Sequence, residues 1–349
     1  MNDIDRLQII NQILNEFRQR NGVPAVGASI VDSDREAISH VVGVRRRDSP
    51  GEAVVSDRWH IGSCTKSITA ALWARLVELG FAEWRTPLRE IFGDLRPCDA
   101  RWADVRVRDV LQCRAGFPPN LRRDLFKASY EDTRSLPEQR SDVVQQSLRR
   151  RPIRSGKFRY SNLSYIVAGA AIDRVAQTSY EDALQRYILH PLGAATAGFG
   201  APEGICGHKA RVTLRGAGVL RGRPASSDDP KSDNPRVYSS AGCLHLSLDD
   251  WSALMRIFLT DNSTGLLHED SLLRLFRSPA QSGRSMGMGW MQPIPIMGIP
   301  YFMQGSNTLW SATAMLTLDR SKSVLVVCND GRSRVLRRSV QLAVFLLAL

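Results

Sequence analysis

Strand-like segments stand at both ends of this 349-residue chain, and helix-like segments fill the middle. VPAVGASIVDS and EAISHVVGVRRR read as two short strands around a polar turn at Asp32 to Arg35. MGMGWMQPI, SATAMLTLDR and SVLVVCND read as three more near the other end, with a turn at Asp319 to Lys322. One α+β layer built from both chain ends, with the helices between them as an insert, accounts for that arrangement. The expectation is an α+β fold, an antiparallel sheet flanked by helices with an inserted, mostly helical domain. Residues 1–60 and 236–349 form the sheet part and 61–235 the helical part. Within the latter, about Arg221 to Arg236 is rich in Pro, Ser and Asp and reads as a surface loop.

MNDIDRLQIINQILNEFRQR reads as an amphipathic helix without the basic start, apolar run and cleavage site of a signal peptide. VQLAVFLLAL is about half the length that spans a bilayer, and reads as a buried closing helix. Six cysteines without a CxxC pair fit reduced thiols better than disulfides or a zinc site. The expected location is cytoplasmic, with no membrane partner.

The formal net charge is +12, and only six of the 47 basic residues are lysine. Summed positive charge attracts phosphate. These arginines are scattered, however, with no stripe interleaved with aromatics and no nucleic-acid-binding signature. No nucleic-acid partner is expected.

The scarcity of lysine draws attention to Ser63-Cys64-Thr65-Lys66, where a loop enters a helix. No other lysine has a serine three residues before it. Residues three apart share a helix face, so the amine reaches the hydroxyl. A serine alcohol needs a base to become a nucleophile, and a desolvated lysine has a lowered pKa. Tyr160-Ser161-Asn162 is the second constellation, and no other tyrosine has Asn two residues on. A phenol beside a lysine loses its proton more readily and becomes a general base. Asn162 offers an amide to order the lysine or the substrate. Each motif alone fits an ordinary helix start about as well.

Together they carry a resemblance. The chain resembles the serine β-lactamase and penicillin-binding-protein superfamily, above all class C β-lactamases and related esterases and D,D-peptidases. The similarity runs through WHIGSCTKSITA, VRVRDVLQCRAGFPPNL, GKFRYSNLSYIVAGAAIDRVAQTSYEDALQRYILHPLG, NPRVYSSAGCLHLSLDDWSALM and GSNTLWSATAMLTLDRSKSVLVVCNDG. It implies the β-lactamase/transpeptidase fold, with the active site in the cleft between the two parts. Ser63 becomes the acylated nucleophile, Lys66 its proton partner, Tyr160 the second base and Asn162 its companion.

The third motif, Lys or His then any residue then Gly, falls on Met303-Gln304-Gly305 and departs from the pattern. Methionine can face neither a carboxylate nor the tyrosine as a cation would. Gln304 could offer an amide to substrate, and Gly305 room beside the strand. The oxyanion hole maps to the backbone N–H groups of Ser63 and Ser306. His208 and His245 are the candidate substitutes for the missing imidazole. His60 invites a Ser–His reading, but no Gly-x-Ser-x-Gly elbow surrounds Ser63, so it reads as packing. Cys64 likewise reads as packing, and Cys243 with His245 does not make a zinc site. No metal or organic cofactor is implied.

The expected activity is hydrolysis of a small ester or amide through a Ser63 acyl-enzyme. Two alternatives stand beside it: a biosynthetic acyltransferase or cyclase, and a non-catalytic binding protein suggested by Met303. Substrate, acceptor, pathway and oligomeric state are open.

Overall fold

A computed structural model describes residues 3–212, 219–260, 264–279 and 285–349. Its strands, in chain order, are β1 (Ala25–Asp32), β2 (Ile38–Gly43), β3 (Trp59–His60), β4 (Gly198–Phe199), β5 (His208–Val212), β6 (Val219–Pro224), β7 (Leu244–Leu246), β8 (Tyr301–Ser306), β9 (Ser311–Leu316) and β10 (Lys322–Cys328). The main sheet runs β2-β1-β10-β9-β8, antiparallel throughout. The two chain ends thus meet at its centre, where Val26 pairs with Cys328. β3-β7-β4 and β5-β6 form two small sheets.

Period-two alternation sets what each face buries. Val26, Ala28, Ile30, Val324, Val326 and Met315 pack under the first helix (Asp3–Asn21) and the closing helix (Ser333–Leu347). Val31, Leu325, Val327, Ala312 and Ala314 face the helical part. Covered on both faces, the central strands read as unbroken apolar runs. The helix Thr65–Glu78 lies inside that second core, buried almost all round, as its small and apolar sequence TKSITAALWARL allows. Gly80 closes it at φ +80°.

Two sequence expectations fail locally. Residues 219–224, expected as loop in part, form β6 against β5. MGMGWMQPI forms no continuous strand. Its pairing consists of isolated bridges, Met286 with Met291, Met291 with Phe302 and Ile294 with Ile299, and Gly287 and Gly289 press against the backbones of Leu275 and Ser67. Residues 206–208 bond through their backbone to Arg45, Leu309 and Gly331.

A buried cation braces the helical part. Arg140, with no exposed surface, binds Asp173 and Glu181 in bidentate fashion and donates to Ser239 Oγ. That joins the helices Leu136–Leu148 and Asn162–Ala176 to the turn Ser239–Gly242. Removing one partner from a buried ion cluster strands the others without water or counter-charge. Arg140→Ala is therefore expected to cost about 3–5 kcal/mol in urea unfolding; a loss below about 1 kcal/mol would show that the cluster clamps nothing. Many other arginines are paired within the chain, such as Arg332 with Asp330, Arg45 with Asp57 and Arg174 with Asp94. Among the described residues no helix is long and apolar enough to cross a membrane.

Candidate active site

Ser63 sits in the single turn Gly62–Cys64 that leads into the helix Thr65–Glu78 and is half-buried. Its N–H is one of the first-turn donors that a helix leaves free. One helical turn on, Lys66 is fully buried. Its Nζ lies 3.0 Å from Ser63 Oγ, 2.7 Å from Asn162 Oδ1 and 2.5 Å from the Ala241 carbonyl oxygen. Burial pulls the ammonium pKa down to about 7. A neutral amine has two N–H donors and one lone pair. The two carbonyl oxygens take the donors, and the lone pair is left for the Ser63 hydroxyl. Once protonated, the third N–H donates back to Ser63 Oγ, so both states are satisfied in one geometry.

The partners of Lys66 are themselves fixed. Asn162 opens the helix Asn162–Ala176, where Ser161 caps the first turn by accepting from Ser164 N–H. The Asn162 amide donates to Asn120 Oδ1 at 2.7 Å, which turns its own oxygen towards the lysine. Ala241 belongs to the turn held by Arg140. Thr69 donates to the neighbouring Ser240 carbonyl, and Ser240 to the Tyr165 carbonyl. Asn120 and Ala241 escaped the sequence reading. Asn120 lies in a resembling segment without a motif of its own, and a backbone carbonyl leaves no mark in a sequence.

The Tyr160 phenol lies beside Ser63, and Lys66 Nζ lies 5.1 Å from its ring centroid. Burial holds the phenol far above its ordinary pKa, and the Ser63 contact offsets this only in part. The phenol is thus protonated at rest. This corrects the expected phenolate base, because desolvation outweighs any help from a lysine that is itself easily neutralised.

The third motif lies on β8, and strand parity separates its residues. Phe302 exchanges backbone hydrogen bonds with Met291 on the side away from β9. By the same parity the N–H groups of Gln304 and Ser306 point to that side. The Met303 side chain is buried in the core facing the helical part. The Gln304 amide donates to the Leu336 carbonyl at 2.6 Å. Gln304 therefore lies on the face covered by the closing helix, and the expectation that it meets substrate is corrected.

Gly305 and Gly62 make the closest approach in the site. A Cβ on Gly305 would fall 1.9 Å from Ile61 O and 2.6 Å from Ser63 N. One on Gly62, whose φ is +52°, would fall 2.4 Å from Ser306 N. Only glycines let these backbones meet, and the meeting brings the amides of Ser63 and Ser306 side by side.

The two proposed histidine substitutes are occupied elsewhere. His208 is fully buried, with Nδ1 on the Asn329 carbonyl and Nε2 accepting from Arg47 N–H. His245 on β7 holds the Gly200 carbonyl through Nδ1. Burial lowers both pKa values. Neither has a contact with Ser63, Lys66 or Tyr160 among the described residues, so both are corrected to structural roles. All six cysteines are free thiols, and burial pushes the Cys64 thiol up to about 12. His60 is buried, accepts from Gly62 N–H through Nδ1 and stacks on Trp310.

The sequence model of the Beta-lactamase family matches residues 10–348. The chain belongs to the beta-lactamase family. Over 245 residues this family member is 27% identical to a protein named Unguisins hydrolase ungD from Aspergillus violaceofuscus, a match covering 66% of the chain and 41% of the relative. The match thus spans about two fifths of that relative's length. Among solved structures, SurE superposes with a TM-score of 0.79 at 21% identity, over 100% of this chain and 77% of that one. D-amino acid amidase from Ochrobactrum anthropi SV3 gives 0.75 at 20% identity, over 97% of both chains. These structures share the fold of this beta-lactamase-family chain, and the expected α+β class holds with them.

Proposed function

We propose that the chain is a serine hydrolase that cleaves a small-molecule ester or amide through an acyl-enzyme on Ser63. The observation that carries this reading is the buried Lys66 amine, held by Asn162 and Ala241 with its remaining position on Ser63 Oγ.

Lys66 takes the Ser63 proton as Oγ attacks the substrate carbonyl. The carbonyl oxygen, becoming an oxyanion, is received by the N–H groups of Ser63 and Ser306. Tyr160, a phenol in contact with Ser63, passes a proton to the leaving group and recovers it through Lys66. Water then attacks the ester on Ser63, and the same groups act in reverse. Hydrolysis of an activated ester needs no cation at Met303.

A fluorophosphonate probe followed by peptide mass spectrometry tests this. The expected result is one phosphonyl group on Ser63, none in Ser63→Ala, and turnover of p-nitrophenyl acetate that disappears in the same variant. No adduct from either reagent on the folded protein would overturn the reading and favour a binding protein instead. An acyl-enzyme that forms and discharges only to an added amine or alcohol would redirect it to acyl transfer.

A further inference from the structure

We infer that Asp233 is a positioning residue for the reaction, holding the two oxyanion amides in register through His60 and Asn307. The inference rests on the Ser63 acyl-enzyme reading and adds residues to it.

The oxyanion donors come from two segments far apart in sequence, 60–63 and 305–307, which meet closely at Gly62 and Gly305. Both segments reach the same carboxylate. His60 is buried, and its Nδ1 accepts from Gly62 N–H at 3.1 Å. That contact places the ring proton on Nε2, which lies 2.8 Å from Asp233 Oδ1. The Gly62 amide is thereby turned inward, and the next amide, that of Ser63, is left to face the cleft. On the other side, Asn307 Nδ2 donates to Asp233 Oδ1 at 3.1 Å and to the Ser232 carbonyl at 3.2 Å. Asn307 Oδ1 accepts from the N–H groups of Leu309 and Trp310, which braces the turn directly after Ser306. Trp310 then stacks on His60, closing the ring of contacts.

Asp233 is only 8% exposed; its Oδ1 accepts from the Asn307 amide and, at 2.7 Å, from the Asn234 N–H, and the His60 ring, whose Nδ1 already accepts, stands 2.8 Å away. Burying a carboxylate without a counter-charge is costly. Turn geometry alone would be served by a side chain that did not link 60–63 to 305–307. A shared anchor explains the arrangement, because small misplacements of groups around a reacting atom cost about a hundredfold in rate.

The test separates positioning from folding. Each variant's Ser63 is titrated to its end point with the fluorophosphonate, and kcat for p-nitrophenyl acetate is expressed per titrated site, with KM beside it. His60→Ala and Asp233→Ala are expected to lose roughly 30- to 100-fold in kcat, with KM within about threefold. His60→Asn, which keeps an acceptor for Gly62 N–H, is expected to regain about tenfold over His60→Ala. The double variant should be no slower than the slower single, since both act on one chain of contacts. Asp233→Asn replaces Asp233→Ala where the latter fails to fold. Variants that lose thermal stability but keep wild-type kcat per titrated site would overturn the inference while leaving the Ser63 reading intact, and so would additive losses. A wild-type protein that takes no label would overturn both.

Discussion

Lys66→Met is expected to abolish acylation of Ser63, lowering the rate with p-nitrophenyl acetate by at least about 10⁴-fold. Methionine matches the stem in length and apolarity, so the fully buried site stays filled. What goes is the lone pair facing Ser63 Oγ, and among the described residues no second base touches that hydroxyl, because burial keeps Tyr160 protonated. Stopped-flow acylation across pH checks this. The wild-type rate should climb through a pKa of about 7 as Lys66 loses its proton, and the variant's residual rate should lack that limb. Lys66→Arg, a permanent cation, should be as inactive as methionine; an active arginine variant would exclude the lysine as base.

The same pKa makes a stability prediction of opposite sense. The amine is depressed from 10.5 to about 7 in the folded chain. Between those values the unfolded chain binds the extra proton, so wild-type stability rises with pH across that window. Below about 7 both states are protonated and the full cost of the buried ammonium is felt. Lys66→Met should therefore be more thermostable than wild type at pH 6, by an amount on the order of a few kcal/mol. The advantage should shrink towards pH 10. Equal melting temperatures at both pH values would contradict the depressed pKa.

Gly305→Ala is expected to lower kcat by about 10²–10³-fold, the cost of losing an oxyanion donor. The added methyl would sit 1.9 Å from Ile61 O. Every near neighbour is backbone, so no side chain can swing aside. The strand must retreat from the nucleophile turn, parting the Ser306 amide from that of Ser63. Overpacking should also remove about 1–3 kcal/mol of stability. Gly51→Ala is the control, since its added carbon would meet nothing closer than 3.9 Å. Ester turnover with urea unfolding reads both effects, and wild-type kcat in a folded Gly305→Ala protein would remove Ser306 from the oxyanion hole.

The parts of the site that lie close in sequence were legible there. Ser63 and Lys66 share one helix turn, and Tyr160 and Asn162 one helix start, so spacing made them candidates and the two motifs together carried the resemblance that assigned their roles. The shared sheet could be argued too, since strands at both ends had no other partners. What escaped depended on which face the rest of the chain covers. Gln304 could be assigned to substrate only while the closing helix had no place; strand parity and Leu336 turn it away. The pKa of Tyr160 depends on burial, which no motif records. Asp233 reaches His60 across the whole helical insert, and a lone aspartate in a polar loop carries no signal of that contact. His60 next to the nucleophile was visible, but its partner was not, so packing was the natural reading.

The pairing of β1 with β10 has a further consequence for the order in which the molecule becomes itself. Ala25 N–H bonds to Asn329 across 304 positions of sequence. While the chain is being synthesised, the first hairpin waits for its neighbour until β10 has emerged. Ser63 and Lys66 exist through most of that time, yet the strand bearing Ser306 does not. A growing chain thus holds a nucleophile without its oxyanion site. On the Ser63 reading, reactivity waits for β8, whose close approach at Gly305 brings the second amide to the serine.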